Sequence, residues 1–255
     1  MRKLKLLFLC LILLVSPMVS NASDTESLYW FVAASLSKPS KALAEKFNGE
    51  EHSFKVMIIS GGSGELISQI TLSGKGDLFT PASDEFLTIV KDKKMVKSYA
   101  KFIKQTPVFA LARKYDSKEI TFDELVNGNY KIAIGNPRTM AMALTYQAIE
   151  KKMPKDISEK IRKQEYGSPL DVNQSLSYLE MNTLDAALIY DTMASNANLE
   201  YIRIPKAYNV DAYAYLVALT SESSDKHTKE FISFIFKNKN IFSKYGYSLM
   251  MDELK

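Results

Sequence analysis

Cysteine and histidine are scarce in this sequence of 255 residues. The single cysteine is Cys10, inside an apolar stretch near the N-terminus, so the rest of the chain can form no disulfide, thiolate metal site or cysteine nucleophile. The two histidines, His52 and His227, lie far apart in polar surroundings, and a two-histidine metal site is not expected. No G-x-S-x-G turn occurs either, which disfavours an exported hydrolase.

No apolar run is long enough to cross a bilayer as a helix, which takes roughly 20 residues. The run from Leu6 to Val15 follows three basic residues and precedes small and polar ones, a layout typical of a secretory signal peptide. We therefore predict a signal peptide over residues 1–22, cleaved after Ala22, and a mature protein in the periplasm. Lipidation at Cys10 is disfavoured because two large residues precede it.

A large net charge is also missing. The sequence has 33 Lys and Arg against 29 Asp and Glu, and removal of residues 1–22 takes away three basic residues and no acidic one. The mature chain is close to neutral, so its charge gives no sign of a nucleic-acid partner. No linker rich in Pro, Gly or Ser interrupts it, and its length fits one large domain or two small lobes.

Short apolar runs alternate with amphipathic stretches along the mature chain. The apolar runs predict strands at residues 28–33, 54–59, 77–80, 107–112, 130–134, 186–190, 201–204 and 213–219. The amphipathic stretches predict helices at residues 39–47, 65–72, 139–151, 172–179 and 226–236. Thr121 and Glu124 have the spacing of a capping box that begins another short helix. This alternation indicates an α/β fold with largely parallel sheets.

Four of the predicted strands end in turns of small residues that lead into a helix: residues 33–35, 60–64, 135–137 and 190–192. Such turns lie at the carboxyl ends of parallel strands, where ligands bind. A helix start offers unpaired N–H groups and a partial positive charge, both of which favour an anion. Any one of these turns is better explained as an ordinary turn or cap. Only the ordered set favours an anion site.

The ordered set resembles the periplasmic molybdate-binding proteins of ABC transporters, from about Leu28 to Tyr247. The matching segments are FVAASL at 31–36, GSGELISQI at 62–70, GDLFTPAS at 76–83, GNP at 135–137, DV at 171–172, ALIY at 187–190 and KYGY at 244–247. The resemblance implies the two-lobed type II periplasmic binding protein fold, of α/β class, with a ligand cleft between lobes joined by two crossover strands. The implied segments are 23–105 for the first part of lobe one, 106–211 for lobe two and 212–255 for the return to lobe one.

The resemblance also implies a binding protein rather than an enzyme, one that captures molybdate or its near twin tungstate. In that family, hydroxyl and backbone N–H groups from both lobes hold the oxyanion. On this chain the implied ligands are the hydroxyls and amides of Ser35 and Ser63, the amides of Met142 and Val172, and the phenol of Tyr190. The implied partner is the membrane permease of an ABC importer. We expect a monomer with no cofactor besides the bound anion.

Three residues depart from the family pattern. Ala141 stands where proline is common, Met142 replaces a smaller residue, and Gly64 replaces a hydroxyl residue. Because position 142 is expected to act through its backbone, methionine can keep that hydrogen bond, but the departures leave the identity of the anion open. A sulfate- or phosphate-binding protein with the same lobes is therefore an alternative. A ferric-ion binder is a further alternative, suggested by the grouping of Tyr208, Tyr213 and Tyr215.

Overall fold

A computed structural model describes residues 26–220 and 225–250. The predicted signal peptide and Cys10 lie outside these ranges. Within them, every helix is too short or too polar to cross a membrane.

Strands and helices alternate through most of the described chain. The strands are β1 Glu26–Ala33, β2 Phe54–Gly61, β3 Leu78–Thr80, β4 Val96–Gln105, β5 Pro107–Leu111, β6 Ile132–Ala133, β7 Ala186–Tyr190, β8 Tyr201–Arg203, β9 Ala212–Leu219 and β10 Ser248–Leu249. The helices are α1 Ser37–Asn48, α2 Ser63–Ser73, α3 Asp84–Asp92, α4 Phe122–Asn127, α5 Ala141–Glu150, α6 Lys155–Lys163, α7 Val172–Glu180, α8 Asp191–Asn196, α9 Asp225–Lys237 and α10 Asn240–Lys244. Short 3₁₀ turns occur at Ala34–Leu36 and Arg113–Tyr115.

The strands form two separate sheets. One sheet has six strands in the order β10-β4-β9-β3-β1-β2, and the other has four in the order β6-β7-β5-β8. The first sheet takes its strands from both ends of the described chain and the second from its middle. We call the described residues of 26–105 and 212–250 lobe one, and residues 106–211 lobe two. The chain passes from one lobe to the other twice, between β4 and β5 and again between β8 and β9.

Each sheet is buried because helices cover it. In lobe one, α1, α9 and α10 pack on one face of the sheet, and α2 and α3 pack on the other. Trp30 anchors the first face: its indole Nε1 donates to Thr80 Oγ1 at 2.8 Å, and its ring meets that of Phe231 edge to face. A third cluster fills lobe two. Strands covered on both faces read as continuous apolar runs, which explains why most were visible in the sequence.

The prediction of largely parallel sheets is wrong. Only the pairs β1–β2, β1–β3 and β6–β7 run parallel, and the other pairs are antiparallel. The reason lies in the crossings: β4 carries the chain out of lobe one and β9 brings it back beside β4, so the two must run in opposite directions. The structure places Gln105 opposite Ala212 at the end of this pair.

The two crossings are tied together by polar contacts. The Asp211 carboxylate pairs with Lys104 Nζ at 2.7 Å and accepts from Thr106 Oγ1 at 3.3 Å. Asn209 Nδ2 donates to the carbonyl of Pro107 at 3.0 Å. These contacts hold the departing and returning segments side by side.

The predicted capping box at the start of α4 is confirmed. Thr121 Oγ1 accepts from the amide of Glu124 at 3.2 Å, and Glu124 Oε2 accepts from the amide of Thr121 at 2.8 Å. Both amides would otherwise lack a partner inside the helix. Those hydrogen bonds also hold the pKa of Glu124 below its ordinary value.

A buried carboxylate joins three segments of lobe two. Asp185 accepts hydrogen bonds from the backbone N–H of Lys131 at 2.7 Å and from the Tyr115 hydroxyl at 3.0 Å, and it pairs with Lys114 Nζ at 2.5 Å. Burial acts to raise the pKa of Asp185, but the bonds from Lys114, Lys131 and Tyr115 outweigh it, and the pKa lies below its ordinary value of 3.8.

Asp185→Asn is expected to lower the free energy of unfolding by about 1–3 kcal/mol at pH 7, because it removes the charged acceptor from buried hydrogen bonds. A lowered pKa means that this stabilisation is present above the pKa of the unfolded chain and is lost as the pH falls through the folded value. Urea unfolding followed by circular dichroism should therefore show a difference from wild type that shrinks below about pH 4. Asp116→Asn, at an exposed position, is the matched control. A difference that does not change with pH would contradict this role of Asp185.

Candidate functional site

Ser35 lies in the 3₁₀ turn between β1 and α1, where only 4% of it is exposed. Its carbonyl oxygen accepts a hydrogen bond from the Tyr247 hydroxyl. Its own hydroxyl oxygen has no hydrogen-bond partner among the described residues. Leaving a buried hydroxyl unpaired costs about 1–3 kcal/mol, and the Ser35 hydroxyl is available to a ligand.

Ser63 is the first residue of α2 and is buried. The preceding Gly62 is extended and gives the helix no side-chain cap. Ser63 Oγ accepts a hydrogen bond from the backbone N–H of Ala82 at 3.2 Å. A serine hydroxyl has one proton to donate in addition to its acceptor sites, and the amide of Ala82 uses only an acceptor site. The Ser63 proton therefore stays available for a ligand.

In lobe two, Met142 and Val172 stand in the first turns of α5 and α7 and are both buried. The side chain of Met142 packs in the core of lobe two. The caps at these two helix starts leave backbone amides unpaired. Met140, before α5, makes no side-chain cap, and the Asp171 side chain caps α7 by accepting the amide of Gln174 alone. Both helix starts therefore still have N–H groups to offer.

Tyr190 ends β7 and is buried to 1% exposure. Its hydroxyl donates to the carbonyl of Ala82 in lobe one at 3.4 Å, which is the long end of the hydrogen-bond range. Burial raises the pKa of Tyr190 well above its ordinary value, with smaller contributions from Glu85 and Tyr247. The phenol therefore remains protonated, and a donor, over the physiological pH range.

One small cavity between the lobes brings these residues together. Ser35, Ser63, Met142, Val172 and Tyr190 all line it, and the remaining wall comes from Ala33, Ala34, Gly61, Gly62, Ala82, Met140, Ala141 and Asp171. The cavity volume is about 10 Å³. Among the described residues, no Lys, Arg or His lines the cavity.

The surroundings favour a negative charge in this space. The helices α2, α5 and α7 begin at the cavity wall, and each helix start carries a partial positive charge. Small apolar residues make up much of the wall: Ala34 of lobe one packs into the core of lobe two, and Ala141 of lobe two packs into lobe one. Hydrogen bonds to a charged group are stronger among buried residues than at an exposed surface.

One wall residue had not been predicted to contribute. Ala82 presents its N–H to Ser63 and its carbonyl to Tyr190, so that one peptide segment orients a hydroxyl from each lobe. Asp171, which opens α7 in the segment DV, also lines the cavity, and its Oδ1 accepts a hydrogen bond from the amide of Gln174. Ala82 lies in the segment GDLFTPAS that carried the resemblance, but an alanine has no side-chain chemistry to mark it.

The three tyrosines considered as ferric ligands do not share a site. The Tyr215 hydroxyl donates to Asp84, and the ring of Tyr213 lies under Lys101 Nζ at 3.9 Å. Tyr208 packs against the core of lobe two. Tyr213 and Tyr215 are therefore engaged by other side chains in lobe one, and Tyr208 packs against lobe two.

The two histidines lie on lobe one and bind acidic side chains. His52 Nδ1 is 3.0 Å from Glu230 Oε1, and His227 Nδ1 is 3.2 Å from Glu26 Oε2. No group of three or more potential metal ligands among His, Cys, Asp and Glu occurs within residues 26–220 and 225–250. Arg138, close to the cavity in sequence, has an exposed side chain.

Comparison with solved structures shows the fold. The chain is similar to the periplasmic molybdate-binding protein of Azotobacter vinelandii, with a TM-score of 0.72 and 18% identity over 88% of this chain and 100% of that one. It is also similar to the sulfate-binding protein SubI of Mycobacterium tuberculosis, with a TM-score of 0.75 and 12% identity over 88% of this chain and 87% of that one. The two-lobed type II periplasmic binding protein fold expected from the sequence is confirmed.

Comparison of sequences shows the family. The chain is 27% identical over 249 residues, 92% of its own length and 94% of the relative's, to a protein of Bacillus subtilis named "putative ABC transporter substrate-binding lipoprotein YvgL". The family model for bacterial extracellular solute-binding proteins matches residues 28–248. That match covers both lobes and every residue of the cavity wall, and the chain therefore belongs to the bacterial extracellular solute-binding protein family.

Proposed function

We propose that the protein captures molybdate or tungstate in the periplasm and delivers it to the membrane permease of an ABC importer. The observation that carries the proposal is the cavity in which donors from both lobes converge without a cationic side chain among the described residues. The name of the Bacillus subtilis relative supports the part that concerns the transporter. The molybdate-binding protein of Azotobacter vinelandii supports the choice of ligand only as a protein of the same fold.

The donors suit a tetrahedral dianion. The hydroxyls of Ser35 and Ser63 and the amides at the starts of α5 and α7 each offer a proton, and the Tyr190 phenol can turn its single proton from the Ala82 carbonyl to a ligand. A fully deprotonated oxyanion offers only acceptors. Hydrogen bonds to a charged group contribute about 1.5–3 kcal/mol each, so five of them support tight binding without lysine or arginine.

The size of the cavity argues for a small ion. Pockets that hold organic ligands of drug size have volumes of roughly 300–1,000 Å³. The space between the lobes here is far smaller, about 10 Å³, which is on the order of the room for one water molecule. Sugars, amino acids and peptides are therefore poor candidates in this closed arrangement of the lobes.

Sulfate is the alternative ligand. It also has four oxygen atoms and no proton near neutral pH, so the hydrogen-bond donors do not distinguish it from molybdate. A protein of similar fold is named as a sulfate-binding protein, which keeps this alternative open. Only the fit of the larger metal oxyanion to the cavity can favour molybdate or tungstate.

Ser35→Ala should separate binding from stability. The variant removes a buried hydroxyl that has no protein partner, so the melting temperature of the unliganded protein should stay the same or rise. The dissociation constant for molybdate should increase about 10- to 150-fold in calorimetric titration, because one charge-assisted hydrogen bond is lost. Ser40→Ala is the matched control, since Ser40 Oγ is also buried without a partner but Ser40 does not line the cavity. Equal affinities in wild type and Ser35→Ala would remove Ser35 from the site.

Ser63→Ala and Tyr190→Phe should each weaken molybdate binding about 10- to 150-fold, since each removes one donated proton. Met142→Leu should have a much smaller effect, because its contribution is assigned to the amide and leucine conserves the volume packed in lobe two. Titration of the three variants side by side tests these roles. Similar large losses in all three would show that the side chain of Met142, rather than its amide, matters.

Phosphate should bind about 10- to 100-fold more weakly than molybdate or tungstate, with sulfate in between. Near pH 7 phosphate keeps at least one proton, and the five proposed contacts are all donors, so that proton finds no acceptor among them. Asp171 is the acidic residue among the described residues that line the cavity, and Asp171→Asn keeps a helix-capping side chain while removing the charge. The order of affinities should be unchanged in this variant. Tight phosphate binding that disappears in Asp171→Asn would contradict the proposal and identify Asp171 as an acceptor.

A further inference from the structure

The start of α2 contacts lobe two through backbone atoms. The N–H of Gly64 donates to the carbonyl of Thr139 at 3.0 Å, across the boundary between the lobes. The helix has no side-chain cap of its own. The carbonyl of Thr139 therefore takes the place of a cap, and it can do so only when the lobes are closed.

The approach of the two backbones leaves no room for a side chain at this point. A Cβ atom on Gly64 would lie 2.0 Å from the carbonyl oxygen of Arg138. On Gly62 it would lie 2.6 Å from the carbonyl oxygen of Leu170 and 2.7 Å from that of Thr139. Distances below 3.0 Å are essentially never seen for real Cβ atoms, and a backbone oxygen cannot swing away as a side chain does.

The conformation of the chain does not itself demand glycine here. Gly62 has φ −64° and ψ 138°, which other residues adopt readily, and Gly64 lies inside a right-handed helix without a positive φ. Glycine is therefore needed at these two positions because backbone carbonyls of lobe two lie where a Cβ atom would be. The segment opposite Gly64 leads directly into Met140, Ala141 and Met142 of the cavity wall.

We propose that Gly64 is a positioning residue for closure of the cleft. Its missing side chain lets the Arg138–Thr139 peptide settle on the start of α2, and the Gly64–Thr139 hydrogen bond holds the helix start of α5 over Ser35 and Ser63. Gly64 does not line the cavity, so it acts through the placement of lobe two rather than by contact with the ligand. The choice of anion used as a probe rests on the proposed function, whereas the closure itself does not.

Gly64→Ala should weaken molybdate binding at least about tenfold and leave lobe one intact. Alanine is the better residue inside a helix, so the melting temperature of the unliganded variant should equal or exceed that of wild type. A purely structural role would instead lower it. Gly49→Ala is the matched control. Gly49 has φ −82°, and a Cβ atom placed on it would lie 3.4 Å from the nearest atom, the carbonyl oxygen of Glu45. This control should bind molybdate as wild type does.

Closure can also be measured without any ligand. Ser68, on α2, and Arg138 are both exposed, and the sequence after residue 22 contains no cysteine. A protein carrying Ser68→Cys and Arg138→Cys should be cross-linked by a short bismaleimide whenever the lobes close. Adding Gly64→Ala should slow this cross-linking at least about fivefold, because the closed state becomes rarer, whereas adding Gly49→Ala should not.

The two readouts separate this inference from the proposed function. If wild type binds none of molybdate, tungstate, sulfate and phosphate, the proposed function fails, and slower cross-linking of the Gly64→Ala protein still supports the role in closure. Cross-linking of the Gly64→Ala protein at the wild-type rate would overturn that role, whichever anion binds.

Discussion

Three helix starts and one 3₁₀ turn meet at one small space between the lobes, and N–H groups that the helices leave unpaired favour an acceptor there. The 3₁₀ turn before α1 and the start of α2 approach from lobe one, and the starts of α5 and α7 approach from lobe two. Each helix start brings partial positive charge to a wall made largely of small apolar residues. In the proposed function, a fully deprotonated anion supplies the acceptors and the opposite charge together, so that the wall would need no cationic side chain.

The connections between the lobes place these helix starts next to one another. The paired strands β4 and β9 carry the chain between the lobes, and the contacts of Asp211 with Lys104 and Thr106 keep the crossings together. Alanines and glycines at the boundary let the two backbones come within hydrogen-bond distance. The Ala82 peptide then links hydroxyls that belong to different lobes, so the site is complete only when both lobes surround it.

The strand-turn-helix units were predictable because each is encoded by adjacent residues: an apolar run, a small-residue turn and an amphipathic stretch. The start of α2 at Ser63 and the end of β7 at Tyr190 are examples. Strand β4 was not predicted, since lysines interrupt its apolar pattern and its pairing with β9 joins residues more than a hundred positions apart. The contribution of Ala82 was equally hidden, because it acts through backbone atoms that any residue possesses. Helix α6 was missed as well, whereas α8 begins at the turn of residues 190–192 that was expected to lead into a helix.

The meaning of Gly64 also depended on the structure. In the sequence it was a departure from a family pattern, and the helix it occupies would tolerate a larger residue. The carbonyl oxygen of Arg138, 2.0 Å from where a Cβ atom would stand, supplies a reason that lies 74 positions away along the chain.

Anomalous X-ray scattering at the molybdenum absorption edge, from crystals of the mature protein grown with molybdate, tests the central claim most directly. We predict one strong anomalous peak in the cavity, with oxygen atoms about 2.7–3.1 Å from the hydroxyls of Ser35, Ser63 and Tyr190 and from the amides of Met142 and Val172. A peak elsewhere on the molecule, or an anion held by lysine or arginine side chains, would contradict it.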